Sequence, residues 1–205
     1  MTESEPTTDA RRVARYFDAR ANDYAENFSR GLLGRVRERE WRVVRQLLGP
    51  EPGETILDAG SGPGSYSVRL AALGCRPRAV DLSPRMVEQA QARGVEASVG
   101  ALETLALGCE FDAVLCAGAL EFSSEPERVL ERLVRHVRPG GRLVLLYPTR
   151  TVLGLAYRTY HARRGIRVRV FAPRELEREL GALGLERLRS RRATPLSAVI
   201  RGDRP

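Results

Sequence analysis

The sequence predicts an α/β fold in which a doubly wound, mostly parallel sheet of seven strands carries helices on both faces. Short apolar segments alternate with amphipathic segments from residue 55 to residue 147, and this alternation is typical of parallel strands joined by crossover helices. Two strand-like segments then close the chain with no helix between them, which predicts an antiparallel last strand. The glycine-rich stretch DAGSGPG follows the first strand, where such sheets bind ligands.

The first 50 residues precede the alternating part. Residues 1–8 are polar and are expected to be disordered. A helix is predicted from residue 9 to about residue 27, and a second from Leu32 to Leu48, where apolar side chains recur at helical spacing and Gly49-Pro50 ends the pattern. We expect residues 9–49 to form a helical cap on a single domain that spans residues 9–205.

The alternating part predicts each element in turn. Ser83-Pro84 gives one helix a cap and a first-turn proline, and Ser124 with Glu127 forms a capping-box pattern for another. Strands are predicted at 55–59, 76–82, 95–99, 111–117, 141–147, 185–192 and 196–202. Helices are predicted at 65–74, 84–94, 124–138 and 173–183, and residues 149–171 show no clear strand.

Composition narrows the class of protein. The N-terminus is polar, and no apolar run reaches the length of a membrane span, so we expect a cytoplasmic protein. The three cysteines are scattered and only two histidines are present, a pattern that favours neither a disulfide framework nor a metal site. No feature of the sequence separates a monomer from a homodimer.

The net charge of +8 is a weak indication of function. All 34 basic residues are arginine, which is typical of a codon bias. Arginine and glutamate alternate in REREW and RELEREL as they do on solvated helix faces. We therefore expect no nucleic-acid partner from charge alone.

The spacing of the glycines in this loop distinguishes among the classes of nucleotide-like ligand. A dinucleotide fold uses G-x-G-x-x-G, but Ser65 stands where its third glycine would be, and no G-K-[ST] follows for a phosphate loop. The pattern D-A-G-S-G-P-G resembles motif I of the class I S-adenosylmethionine-dependent methyltransferases, whose fold is Rossmann-like. Asp81 ends the second strand in AVDLS, where that family keeps an acidic residue for the ribose hydroxyls.

The resemblance runs from about Phe17 to Leu146 and is strongest to the small-molecule branch that includes the ubiquinone and menaquinone C-methyltransferases. It is carried further by YFDARANDYAENF, VGALETLAL and FDAVLCAGAL. It implies S-adenosyl-L-methionine as cofactor and S-adenosyl-L-homocysteine as product. The cofactor residues that it implies are Tyr24, Asp58, Ala59, Gly60, Ser61, Gly62, Gly64, Asp81, Leu82, Met86, Ala101, Leu102 and Ala117.

Several of these residues have alternative roles. Asp81 could cap the following helix, Asp58 could hold loop amides, Met86 could belong to the core and Tyr24 could simply pack. Ala101 departs from the family, many of whose members keep an acidic residue there for the adenine amino group. Adenine would then rely on backbone groups and apolar contacts.

The acceptor end is predicted at the end of the fourth strand and in residues 149–171, which we expect to form a substrate lid. Glu121, Tyr157 and His161 are the catalytic candidates, although Glu121 could be a solvated loop carboxylate and His161 a surface residue. The lid interleaves aromatic residues with arginines, which suits a small acceptor that is flat or apolar and carries a carboxylate or phosphate.

The leading hypothesis is a methyltransferase that acts on a small metabolite. The alternatives are a cofactor-binding relative without turnover and an RNA methyltransferase. The intact glycine motif and Asp81 count against the first alternative. The second has neither an appended RNA-binding domain nor an Asn/Asp-Pro-Pro-aromatic signature.

Overall fold

The computed structural model describes residues 8–21 and 31–205 of the chain. Most of the N-terminal segment predicted to be disordered and the end of the first predicted helix lie outside these residues, as does Tyr24. The helices of the described residues are α1 (Thr8–Asp18), α2 (Gly31–Leu48), α3 (Ser65–Ala71), α4 (Pro84–Ala92), α5 (Pro126–Arg135), α6 (Val152–Ala162) and α7 (Pro173–Ala182).

Seven strands form one sheet in the order β3-β2-β1-β4-β5-β7-β6. They are β1 (Thr55–Ala59), β2 (Arg76–Asp81), β3 (Glu96–Val99), β4 (Phe111–Ala117), β5 (Val137–Pro148), β6 (Glu186–Arg192) and β7 (Ser197–Asp203). The first five strands pair in parallel, and β7 pairs antiparallel with both β5 and β6. The predicted fold class is confirmed.

Two cores lie on opposite faces of the sheet because strand side chains alternate. Leu57 faces one core together with Leu130 of α5 and Leu176 of α7. Its neighbour Ile56 faces the other core together with Leu48 of α2. Helices therefore cover both faces of the sheet. The carboxyl ends of β1, β2 and β4 are not covered by these cores and can hold a ligand.

A buried arginine fixes α2 against the sheet. The Arg142 guanidinium donates to Glu54 Oε1 at 2.8 Å and to the Gly49 carbonyl at 3.0 Å, and its Nε donates to the Leu48 carbonyl. These bonds satisfy carbonyls that the end of a helix leaves unpaired. They also hold the C-terminal end of α2 beside the start of β1 and the early part of β5.

The structure corrects two predicted boundaries. The capping box at Ser124 does not form, since Pro126 occupies the first helical position and makes Glu125 the N-cap. Strand β5 begins at Val137 rather than residue 141, because buried Val137 already pairs with Phe111 before an irregularity in the register. No helix of residues 8–21 or 31–205 is long and apolar enough to cross a membrane.

Candidate active site

The glycine loop after β1 turns tightly over the end of β2. Gly60, Gly62 and Gly64 have φ values of 73°, 53° and 75°, which glycine adopts without steric cost. The amides of Gly60 and Ser61 both donate to the Val80 carbonyl, at 2.7 and 3.1 Å. The loop is therefore anchored to β2 by its backbone, and the backbone of Gly60 and Gly62 faces the space above the sheet.

Asp81 ends β2 beside this loop. Its Oδ2 accepts the Gly62 amide at 2.7 Å and its Oδ1 accepts the amide of Ser83, the N-cap of α4, at 2.9 Å. Burial raises the pKa of the carboxyl, and the two amide bonds oppose that rise. Asp81 thus links the loop to α4 and also lines the cavity, so its capping contact and a ligand-facing position coexist.

Asp58 has a different environment. It is buried, and its Oδ2 accepts the hydroxyl of Ser67 in α3 at 2.6 Å. Burial is the main cause that raises its pKa to about 6, and the neighbouring charge of Asp81 contributes. Asp58 does not line the cavity, which favours the alternative that it joins β1 to α3 structurally.

A cavity of about 350 Å³ lies over the carboxyl ends of the strands, within the size range of sites for small ligands. Helices α1, α2 and α6 cross above it. The structure brings the following predicted residues to its wall: Gly60, Ser61, Gly62, Asp81, Leu82, Met86, Leu102, Ala117, Glu121, Tyr157 and His161.

Three other predicted cofactor residues do not line the cavity. Ala59 is fully buried in the core. Gly64 is the N-cap of α3, where an added Cβ would lie 3.0 Å from the Cβ of Ala90. Its role in the structure is therefore close packing of α3 against α4. Ala101 is the N-cap of a short 3₁₀ turn at Leu102–Thr104.

Glu121 lines this cavity and also a second cavity that adjoins it. The side chain is 4% exposed, and its Oε2 has no hydrogen-bond partner among the described residues. Burial raises the pKa of this carboxyl to about 8, although Arg37 opposes the rise. The carboxyl is therefore protonated at neutral pH, and it is not the solvated loop carboxylate that was the alternative.

A buried polar network on α2 faces the same region. Glu40 is 3% exposed; its Oε2 accepts from Arg37 Nη1 at 2.9 Å and its Oε1 accepts from the Ser197 hydroxyl at 2.7 Å. Arg37, Glu40 and Ser197 all line the cavity. The interpretation of REREW as a solvated face was wrong for Glu40, because β7 packs against that side of α2.

His161 lies at the centre of an aromatic cluster. The Tyr16 hydroxyl is 3.2 Å from His161 Nδ1, and the rings of Tyr157 and Phe122 lie 4.5 and 5.5 Å from the imidazole. Burial first, then Arg164 and Arg20, lower the pKa of His161 to about 4. The imidazole is therefore neutral at physiological pH, and as a proton acceptor it is weak.

Tyr16 and Phe17 of α1 also belong to this wall, and the sequence reasoning did not single them out. The Phe17 ring packs edge-to-face on Phe122 at 5.0 Å. The signal that could have found them is YFDAR, which the N-terminal resemblance already contained. That resemblance implies a cofactor-facing role for Tyr24 only.

A second cavity, of about 590 Å³, adjoins the first and shares Val13, Glu121, Phe122 and Ser123 with it. Five arginines line it: Arg12, Arg150, Arg158, Arg167 and Arg169. Arg150 and Arg169 pair with Glu175. Arg158 and Arg167 form no ion pair within the described ranges and are exposed. This chamber can receive an anionic group.

Known proteins share this architecture. The family model described as "Methyltransferase domain" matches residues 57–145. A magnesium protoporphyrin IX methyltransferase from Synechocystis PCC 6803 superimposes with a TM-score of 0.75 at 22% identity, over 95% of this chain and 99% of that chain. At that identity the likeness shows the fold.

Two curated relatives are similar in sequence. The ubiquinone biosynthesis O-methyltransferase of Xanthomonas oryzae pv. oryzae is 36% identical over 112 residues, which are 51% of this chain and 47% of that protein; the chain spans about half the length of this relative. The demethylmenaquinone methyltransferase of Mycobacterium tuberculosis is 31% identical over 165 residues, 78% of this chain and 70% of that protein. Together with the glycine loop and Asp81, this similarity shows that the chain belongs to the class I S-adenosylmethionine-dependent methyltransferases.

Proposed function

We propose that this protein transfers the methyl group of S-adenosylmethionine to a small molecule with a flat, apolar body and an anionic group. One observation carries the proposal. A single cavity is lined by the Gly60–Gly62 backbone and the half-buried Asp81 carboxyl, and also by Glu121, Tyr157 and His161; Oε2 of Glu121 has no hydrogen-bond partner among the described residues.

The residues around the glycine loop fit a nucleoside. Each oxygen of Asp81 accepts one backbone amide and keeps further acceptor capacity for a ribose hydroxyl. An added Cβ at Gly60 would lie 2.2 Å from the Cβ of Ala119, so only glycine keeps this part of the wall open. Leu82, Met86 and Leu102 supply apolar surface for an adenine ring.

Around Glu121 the chain supplies groups that orient the acceptor and a site that takes up its proton. The bound cofactor contributes an activated methyl group, so the protein must orient an acceptor atom and exclude water. In its ionised form the Glu121 carboxylate can take up, at Oε2, the proton that a hydroxyl or an acidic C–H of the acceptor releases. Neutral His161, bonded to Tyr16, shapes the wall rather than titrating near neutral pH.

The class of acceptor follows from the two chambers. The rings of Phe17, Phe122 and Tyr157 surround the first chamber and suit a flat body. Arg158 and Arg167 in the second chamber suit a carboxylate or phosphate, which guanidinium groups bind in bidentate fashion. Residues 149–171, which carry Tyr157 and His161, would form the roof. The names of the curated relatives, which refer to ubiquinone and menaquinone, agree with a flat ring.

The function can be tested with radiolabelled methyl transfer. The protein should bind S-adenosylmethionine saturably in calorimetry and should move label from it into a small organic acid or phosphate of a metabolite extract. Arg158→Gln with Arg167→Gln should reduce labelling of that product, whereas Arg135→Gln on the exposed surface of α5 should not. Tight NADH binding, or cofactor binding without label in any acceptor, would contradict the proposal.

Replacing Asp81 by alanine should weaken binding of S-adenosylhomocysteine by about 1.5 to 3 kcal/mol, the scale of lost charge-assisted hydrogen bonds. Calorimetry should show that wild type discriminates against a 2′,3′-dideoxy analogue and that the variant does not. Asp18→Asn is the control, because Asp18 accepts the Ser83 hydroxyl near this site without lining the cavity. If wild type and Asp81→Ala discriminate equally against the dideoxy analogue, Asp81 does not bind the ribose hydroxyls and only caps α4.

A further inference from the structure

The outward face of α6 carries an unusual set of exposed apolar side chains. Val152 is 84% exposed, Leu153 53%, Leu155 44% and Tyr160 51%. These are four of the seven large apolar side chains that are exposed among residues 8–21 and 31–205. At 100° per residue they lie together on one side of the helix, with exposed Ala156 between them.

The opposite side of α6 is the buried side. Gly154 and His161 are buried there, and Tyr157 and His161 line the cavity. The Thr151 side chain caps the helix by accepting the Gly154 amide at 3.2 Å. An added Cβ at Gly154 would lie 1.9 Å from the Thr149 carbonyl oxygen. The helix therefore cannot rotate to bury Val152, Leu153 and Tyr160, which stay exposed within the part of the chain that the structure describes, whereas Leu155 also lines the second cavity.

The charged side chains of the segment that contains α6 have one sign. Residues 149–171 contain six arginines and no aspartate or glutamate. Arg163 and Arg164 lie at the C-terminal end of the helix, and both are exposed. The Arg164 guanidinium stacks on the Tyr160 ring at 3.6 Å, so cationic and apolar groups share the same surface. Only Arg150 and Arg169 form ion pairs within the described part of this segment.

We propose that the outward face of α6, with Val152, Leu153, Leu155 and Tyr160 at its centre and Arg163 and Arg164 at its end, docks on an anionic lipid surface. A helix with apolar side chains on one face and arginines beside them lies in the interface of a bilayer, and each arginine near the surface strengthens binding to anionic lipid. With 11 residues, α6 is about 16 Å long and would lie along the surface rather than cross it.

Two other occupants fit this surface less well. A nucleic acid would satisfy the arginines but would leave the aliphatic side chains in water. A second copy of the chain would cover the apolar side chains but would bring two segments of six arginines together without a counter-charge. A bilayer with anionic headgroups covers both kinds of group at once. Docking would also place the cavity wall about one helix diameter, near 10 Å, from the lipid.

Sedimentation with lipid vesicles tests this directly. The protein should bind vesicles that contain phosphatidylglycerol, should bind pure phosphatidylcholine weakly, and should be released by salt. Val152→Asp with Leu153→Asp should lower binding at least about tenfold, and Arg163→Gln and Arg164→Gln should each lower it about fivefold. The control is Val99→Asp, which changes a 55% exposed valine on β3 and should leave vesicle binding unchanged.

The variants need a second measurement, because a misfolded protein would also lose binding. Calorimetry with S-adenosylhomocysteine should give the wild-type affinity for each variant, which keeps this test separate from that of the methyl transfer. No binding to phosphatidylglycerol vesicles at low salt, or equal binding to both kinds of vesicle, would overturn the proposal. So would a dimer in light scattering that Val152→Asp with Leu153→Asp dissociates, or RNA binding that depends on the same apolar side chains.

Discussion

Replacing Gly60 by alanine is expected to lower the free energy of unfolding by about 2 to 4 kcal/mol and to reduce cofactor affinity below detection. Two costs act together at this residue. Its φ of 73° costs an L-residue about 1 to 2 kcal/mol. The new Cβ would also lie 2.2 Å from the Cβ of Ala119, a separation that no relaxed structure keeps, so one loop must move.

The movement would reach the ligand site from both sides. Gly60 and Ser61 hold the loop to the Val80 carbonyl through their amides, and Ala119 belongs to the segment after β4 that leads to Glu121. A shift of either segment therefore changes the cavity wall. This is why the expected loss of cofactor affinity exceeds the loss that the change in stability alone would cause.

Denaturant unfolding and calorimetry measure the two effects, and two variants separate their causes. Gly94→Ala introduces the same residue at a φ of 78° with no atom within 4 Å, so it should show the backbone cost alone. Ala119→Gly combined with Gly60→Ala removes the clashing Cβ and should recover most of the cofactor affinity. If the double variant is as defective as Gly60→Ala, close contact with Ala119 is not the cause.

Much of the fold could be predicted because its elements carry local signals. The run FDAVLCA, buried on both faces, and the Ser83-Pro84 start of α4 each indicate an element without reference to the rest of the chain. The start of β5 could not be predicted in this way. Pro139-Gly140 is a signal for a turn, but the pairing of buried Val137 with Phe111 across the sheet extends the strand through it.

The candidate site was predictable only where a motif fixes it. The glycine pattern predicted the Gly60–Gly62 loop, and the family resemblance predicted Asp81 at the end of AVDLS; the structure puts both on one cavity. The positions of Arg37 and Glu40 in the cavity wall were not predicted, because charged residues on a helix indicate a solvent-exposed face unless the surface packed against that helix is known. The sheet decides their environment, since the hydroxyl of Ser197, at the start of β7, donates a hydrogen bond to the buried Glu40 carboxylate.

Replacing Glu121 by glutamine is expected to lower the rate of methyl transfer by about 10²- to 10⁴-fold, the usual contribution of a positioned base. Glutamine keeps the size of the side chain and can still donate a hydrogen bond, but it cannot take up a proton. In the wild type the active form is the carboxylate. The rate should therefore rise with pH until about pH 8, the pKa to which burial raises this group. Label transfer at several pH values measures this dependence, and Glu121→Gln should lack it.

The same substitution changes how stability depends on pH, and this second readout needs no acceptor. The pKa of Glu121 is about 8 in the folded protein against an ordinary value of 4.5. Its protonated form therefore stabilises the fold fully below pH 4.5, and the contribution is lost as the pH rises from 4.5 to 8. At about 1.4 kcal/mol per pKa unit, the loss amounts to several kcal/mol. The stability of Glu121→Gln minus that of wild type should therefore be larger above pH 8 than it is at pH 4.

Comparison of the two proteins isolates Glu121 from other groups that titrate in this range. Asp58, with a pKa of about 6, is present in both and cancels in the difference. Glu88→Gln on the exposed surface of α4 is the matched control and should follow the wild-type curve. Because burial makes the carboxyl costly to ionise, a base at this position lowers the stability of the fold above neutral pH but is a stronger proton acceptor. A Glu121→Gln protein with the wild-type rate and the wild-type stability curve would show that Glu121 neither ionises in the cavity nor takes the acceptor's proton.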